Sequence, residues 1–410
     1  MPDFHQTPPV TTLHDFGAGQ PARLEELLAE ATREKKIGLV LPVTAADMRA
    51  PAFARIVEEL QGAAWVDQIC VTLGAAPEAA DFAEARALVA PLGDRAEVLW
   101  TDGGAVRDLL GELRSAGLPV AQSGKGLGVW AAFGYLLGDT RLAAFALHDC
   151  DIVDYDRTLL ARLCLPMVHP SLDFEFAKAF YHRATDRLYG RVTRLFVGPL
   201  LHGLLAILGR DPFLLFLASL RYPLAGEFAV TAGLARSNRI PGDWGLEIGT
   251  LAEVFRNTSL KRVCQVDLGI RYEHKHQPLA PDAGGGLVKM AAEILGTLLR
   301  TLASRGVVVD AGRIASLQAA YLRAAQDSIR QYHADALVNG LEYDRHEEEQ
   351  AVESFARQIR RAGDAFLADP VGGSSLPNWA RVLTAFPDLP KRLRSAARAP
   401  ITQAKVGRGS

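Results

Sequence analysis

A chain of 410 residues can form two or three packed units, and 49% hydrophobic with 22% charged residues excludes both wholesale disorder and a fibrous repeat. Forty-five lysines and arginines against 47 aspartates and glutamates give a net charge of −2, without the basic excess that a phosphate backbone attracts, so no nucleic-acid partner is expected. Cys70, Cys150, Cys164 and Cys264 stand far apart with no CxxC pair, which argues against a zinc knuckle or a disulfide framework and fits a cytoplasmic, reducing setting.

Met1–Gln20 is polar and lacks the charged and apolar regions of a secretory signal, so residues 1–20 read as a disordered tail. From Lys36 to Ile152 short apolar runs alternate with helical patterns. Strands are predicted at Ile37–Leu41, Trp65–Leu73, Ala96–Trp100, Leu118–Ala121 and Leu142–Leu147, and helices at Pro51–Leu60, Pro77–Val89, Gly104–Ser115 and Leu127–Leu137. Repeated units of this length mean an α/β fold with a mostly parallel sheet, helices on both faces, and ligands beyond the carboxyl ends of the strands. Between Ser171 and Ile270 the pattern is mixed, with strand-like Leu172–His182 and Val263–Tyr272 and a helix from about Gly245. Val197–Leu220 is strongly apolar, but Arg210-Asp211-Pro212 cuts it into pieces too short to span a bilayer. It reads as a buried helix pair, with membrane-surface contact as the other reading. A Gly-rich joint at 282–286 closes the α/β domain, 21–285. Residues 286–400 form a helical region, 401–410 a disordered tail, and Glu347–Glu349 the solvated face of a helix.

Asp149-Cys150-Asp151 directly follows the buried strand Leu142–Leu147, where two carboxylates can grip a divalent cation. Asp154-Tyr155-Asp156 repeats the triplet away from any strand end. Ser123–Gly128 places Lys125 between two glycines at a helix start, without matching a Walker A or GxGxxG pattern; it is either a phosphate-approaching loop or a plain tight turn. Gly190-Arg191-Val192-Thr193 precedes the apolar helix expected near Arg194, with Thr193 as N-cap. Free N–H groups beside Arg191 and Arg194 would suit an anion there, and a capped helix with solvated arginines is the ordinary alternative. Glu227 and Glu247 stand near expected helix starts, where the dipole stabilises a carboxylate without any function. His274 means little unless it meets the two aspartates.

In order, Gly124–Gly126, Asp149–Asp151, Tyr189–Leu195, Tyr222–Phe228, Gly242–Gly249 and Gln265–Arg271 resemble the glucosyl-3-phosphoglycerate synthases, relatives of mannosylglycerate synthase among retaining glycosyltransferases. The resemblance covers about Ile37–Leu279. It implies a GT-A fold, a Rossmann-like mixed sheet, with a C-terminal helical extension, and transfer of glucose from an NDP-glucose donor to the 2-hydroxyl of 3-phosphoglycerate; the appended helices from Leu287 resemble a dimerisation element, and their apolar stripes would equally cover the sheet of the same chain. It implies further that Asp151 and His274 ligate Mg²⁺ or Mn²⁺, with Asp149 at the donor or its metal shell. Pro42, Lys125 and Arg271 would face the donor, Gly190, Arg191, Val192 and Thr193 would cradle the acceptor phosphate, and Glu247 would face the reacting sugar. Mannose as the sugar, a polyprenyl phosphate as acceptor, and a non-catalytic sugar-nucleotide sensor are the alternatives.

The chain departs from the family at two turns. Val43–Asp47 replaces an Asn/Asp-Glu-Glu segment and Thr72–Ala76 an Asp-Ser-Gly-Ser-like turn, which leaves the donor base open between UDP and GDP. His276 also stands where the family has Asn.

Overall fold

Lys36–Thr44, Gln68–Gly74 and Leu142–Leu147 are apolar at nearly every position, as strands covered on both faces must be. The computed structural model describes residues 6, 9–17, 20–121, 123–269, 286–372 and 375–399. Its elements begin with β1 (Thr11–Leu13), α1 (Pro21–Ala31), β2 (Lys36–Thr44), α2 (Pro51–Gly62), β3 (Gln68–Gly74), α3 (Ala79–Val89), β4 (Ala96–Trp100), α4 (Gly104–Ser115), α5 (Lys125–Leu137) and β5 (Leu142–Leu147). Then come α6 (Arg157–Val168), β6 (Phe176–Phe180), a π-helical turn (Val192–Val197) running into α7 (Gly198–Leu208), α8 (Pro212–Ser219), β7 (Phe228–Thr231), α9 (Ala232–Ser237), α10 (Leu246–Asn257) and β8 (Val263–Asp267). The C-terminal helices are α11 (Gly286–Ser304), α12 (Ala311–Val338), α13 (Arg345–Ala368), α14 (Trp379–Ala385) and α15 (Leu389–Arg398).

The eight strands form one mixed sheet, ordered β1-β8-β6-β7-β5-β2-β3-β4, in which only β7 runs antiparallel to its neighbours. Alternation along the strands divides the core. Leu39, Leu41, Ile69 and Val71 point into the layer built on α1, α2, α3 and α6, and Val40 and Cys70 point into the layer of α4, α5 and the later helices. Pro42 is tolerated in central β2 because it lies past Val40, the last residue there paired with β5, so one flank of the strand no longer needs a donor.

Two expectations change, and one motif gains a role. The segment read as a disordered tail supplies β1, which pairs parallel with β8 from Thr11↔Cys264 to Leu13↔Val266 and so covers that strand's outer edge. Leu118–Ala121 is an extended linker outside the sheet; Leu118 and Val120 are buried by packing beside α5, which explains their apolar pattern without a ladder. Asp154-Tyr155-Asp156 caps a helix, with Asp156 accepting the Thr158 N–H at 2.6 Å.

Val197–Leu220 is the buried helix pair. Asp211 caps α8 through the Phe213 and Leu214 N–H groups, and Tyr321 of α12 covers the pair, its hydroxyl donating to Leu195 O at 2.7 Å. No described helix is long and apolar enough to cross a membrane. At the far end of the chain, Trp379 stacks on Trp130 of α5 with ring centroids 4.4 Å apart, and each indole N–H donates to a backbone carbonyl, Trp130 to Pro377 O and Trp379 to Trp130 O. The side chains of the helical region thus continue the core on one face of the sheet.

Candidate active site

The carboxyl ends of β2, β3, β4 and β5 open on one cleft of about 930 Å³. Nine residues singled out from the sequence line it, Pro42, Lys125, Asp149, Asp151, Gly190, Arg191, Val192, Thr193 and Glu247, whereas Arg194 and Glu227 are not among its lining residues. Arg271 and His274 lie outside the described residues. Among the described residues no group of three or more His, Cys, Asp or Glu side chains is gathered to hold a metal; of the carboxylates lining the cleft, Asp149 and Asp151 are the pair that follows β5.

Lys125 opens α5, and its Nζ lies 2.7 Å from Asp149 Oδ1 and 3.5 Å from Glu247 Oε1. Burial works against its charge, but Asp149 and Glu247 outweigh burial and hold the ammonium well above its ordinary pKa. The loop that carries Lys125 is dictated by glycine. Gly124 takes φ +121°, and a Cβ there or at Gly126 would overlap the backbone oxygen of Gly242 or Pro241, in the segment leading to α10 and Glu247. The plain-turn reading therefore gives way to a turn that delivers a cation between two carboxylates. Gly226 matters in the same way, since a side chain there would collide with the Asp149 carboxylate.

Behind these groups lies a buried layer, of which the sequence marked Glu227 but not Lys178. Lys178 is buried in β6, its Nζ donates to Ala225 O and stands 5.8 Å from the centre of the Phe228 ring. Burial lowers its pKa to about 8, against the opposing pull of Glu247 and Glu227. Glu227 is also fully buried and precedes β7 rather than a helix, which corrects its placement at a helix start. The available signal was a lysine inside Phe-Ala-Lys-Ala-Phe, a charge where both faces are buried. Tyr222 and Trp244, from two of the quoted motifs, also line the cleft, as do Tyr181 and Arg183, which no sequence motif marked.

The anion cradle differs from its expected form. Gly190 adopts φ +73°, and the helix begins at once behind it as a π turn, with Arg191 at the N-cap position. Thr193 sits inside that first turn and is not the cap, because glycine's left-handed backbone has already redirected the chain. Arg191 and Arg194 are ion-paired rather than free in solvent. Arg191 pairs with Glu347 at 2.7 Å and Glu348 at 2.8 Å, and Arg194 with Glu348 at 2.9 Å. Glu348 is buried, so the run Glu347–Glu349 is not a uniformly solvated face.

Where the base-reading segments depart from expectation, the wall of the cleft is still ordered. Thr44 Oγ1 donates to Asp47 Oδ2 at 2.6 Å, Ala75 takes φ +48°, and Asp102 Oδ2 accepts the Ala76 N–H at 3.0 Å.

No family model matches the chain. Over 393 residues, 96% of this chain and 97% of the relative, it is 42% identical to the glucosyl-3-phosphoglycerate synthase of Persephonella marina. The chain belongs to the glucosyl-3-phosphoglycerate synthase family. It is also 38% identical over 406 residues, 98% of each chain, to the glucosyl-3-phosphoglycerate synthase of Methanococcoides burtonii. Among solved structures it is similar to the glucosyl-3-phosphoglycerate synthase of Mycobacterium tuberculosis in complex with Mn²⁺, UDP-glucose and phosphoglyceric acid, at TM-score 0.52 and 23% identity, over 74% of this chain and 90% of that one. Mannosyl-3-phosphoglycerate synthase from Rubrobacter xylanophilus matches at TM-score 0.55 and 23% identity, over 73% and 83%. These two likenesses establish the glycosyltransferase fold. The glucosyl-3-phosphoglycerate synthase family accordingly supplies the enzyme class, a hexosyltransferase.

Proposed function

We propose that the cleft transfers glucose, with retention, from a nucleoside diphosphate glucose to the 2-hydroxyl of 3-phosphoglycerate. The observation that carries this reading is the meeting of Lys125, Asp149, Asp151 and Glu247 with the Gly190–Thr193 cradle in one cavity. Two carboxylates are hard oxygen donors suited to Mg²⁺ or Mn²⁺, and Asp149 already accepts a cationic ammonium, so the residues fit the metal. Asp149 and Asp151, with His274, would hold the ion. When bound, it supplies charge neutralisation to the donor diphosphate.

The chain's own groups do the rest. Lys125 orients the donor, and the first-turn N–H groups of residues 190–193, with Arg191, hold the acceptor phosphate. Fixing two anionic substrates side by side lowers the barrier by proximity. The glucose C1–oxygen bond to the β-phosphate breaks as C1 bonds the acceptor 2-oxygen, and the hydroxyl proton passes to the departing phosphate on the same face. Glu247, buried beside Lys125, faces the sugar or acceptor hydroxyl as a polar support, and Pro42 and Arg271 complete the donor side. The reading includes a cytoplasmic homodimer: the four buried free thiols suit a reducing compartment, and exposed Leu337 and Val338 at the end of α12 offer an apolar corner to a second copy.

A donor-by-acceptor matrix with and without EDTA, with anomeric configuration read by NMR, tests the reaction. Product with an α-linkage is expected only with 3-phosphoglycerate and free divalent metal; inversion, or full turnover in EDTA, refutes it. Asp151→Ala is expected to abolish metal-dependent transfer, and full activity in that variant would remove Asp151 from the site.

A further inference from the structure

The helical region meets the cleft at an ion-pair node. Glu348 on α13 is buried, and its two oxygens are divided between two arginines, Oε1 accepting from Arg191 Nε at 2.8 Å and Oε2 from Arg194 Nη1 at 2.9 Å. Arg194 in turn donates to Leu188 O and Tyr189 O, both at 2.9 Å, the last two carbonyls before Gly190. Its guanidinium lies 4.9 Å from the centre of the Tyr332 ring. Glu347 stands differently. Its side chain is 50% exposed, it lines the cleft, and its Oε2 accepts from the far end of Arg191, Nη2, at 2.7 Å.

One guanidinium therefore carries two counter-ions of unequal strength. A buried pair is costly to break, because the group left behind keeps its charge away from water. An exposed pair contributes little and is readily exchanged. A phosphate, with up to two charges and three acceptor oxygens, displaces a single carboxylate from a guanidinium. We propose that Glu347 is an exchangeable counter-ion which the acceptor's phosphate displaces from Arg191, and that Glu348 is a positioning residue which keeps Arg191 and the turn before Gly190 in place throughout. The inference rests on the reading of residues 190–193 as the acceptor cradle. It makes the C-terminal helices a specificity element: an acceptor without a phosphate cannot release Glu347 and meets a carboxylate at the wall.

The test compares the wild type with Glu347→Gln, Glu348→Gln, Glu348→Asp and Arg191→Ala. The readouts are KM for 3-phosphoglycerate relative to KM for the donor, and calorimetric affinity for inorganic phosphate. Glu347→Gln is expected to tighten phosphate and lower the relative acceptor KM about two- to fivefold, the range of an exposed ion pair. Glu348→Gln is expected to raise it at least roughly tenfold, with partial recovery in Glu348→Asp, which keeps the charge. Unchanged or weaker phosphate binding in Glu347→Gln overturns the exchange, and the absence of any recovery in Glu348→Asp overturns the positioning role. If Glu348→Gln does not fold, Glu347→Gln still decides the exchange, and Glu348→Asp measured against the wild type decides the positioning, an unmoved acceptor KM there overturning it. Arg191→Ala keeps the two failures apart. A raised acceptor KM there with an unmoved Glu347→Gln rejects only the exchange, whereas an unmoved Arg191→Ala rejects the cradle itself.

Discussion

At Gly226 the missing side chain lets the loop before β7 lie against the Asp149 carboxylate. Gly226→Ala should therefore push Asp149 off its position beside Lys125 while costing little elsewhere. We expect the metal concentration for half-maximal activity to rise about tenfold or more, with the melting temperature lowered by only a few degrees; an unaltered metal titration would show that the carboxylate's place is not critical. At this scale much of the site was legible. Asp149 and Asp151 were marked by following a buried strand, and Lys125 by the glycines around it, because strand ends and left-handed turns leave local traces in sequence. Lys178 left only the fainter trace of a charge inside an apolar strand, and Glu227 was marked without the burial that defines it. Their roles come from burial among groups distant in the chain, and Glu227 was also assigned to the wrong kind of element.

Elements with strong periodicity were read correctly, since β2, β3, β5 and the helices between them advertise two covered faces or one. The three residues of β1 show no pattern of their own, and Leu118–Ala121 imitates a strand through burial alone. The cradle helix was located, but its beginning was misjudged, because a serine-or-threonine cap rule cannot register a π turn launched by Gly190. Packing between elements suggests a direct check on the helical region. Trp379 of α14 fills the space above Gly134 of α5, stacks on Trp130 and satisfies its own N–H. Trp379→Ala should destabilise the protein by about 3–5 kcal/mol, the cost of a large buried cavity. A urea titration reads this; a loss below about 1 kcal/mol would mean that α14 is only loosely held.

Taken as a whole, the protein hides its titratable thiols and several phenols. Burial raises the pKa of Cys70, Cys150, Cys164 and Cys264, and likewise of Tyr135, Tyr155 and Tyr321. Each keeps its proton in the fold at a pH where the unfolded chain releases it, so this stabilisation is complete below about pH 8.5, the free thiol value, and declines above it. Lys178, lowered to about 8, acts in the opposite sense, its contribution recovering as pH climbs toward roughly 10.4, but between about pH 8 and 10 it is one group against four thiols, the phenols joining only near 10. The urea midpoint should fall between pH 8 and 10, and a flat or rising profile would contradict the burial argument. The pairing of β1 with β8 has a temporal consequence. Thr12 meets Gln265 across 253 residues, so a ribosome adding roughly 5–20 residues per second leaves the first strand waiting about 13–50 s for its partner to be synthesised. Throughout translation of the catalytic sheet, the nascent chain must keep that leading segment available, and the sheet's border closes only as synthesis turns to the helices that follow.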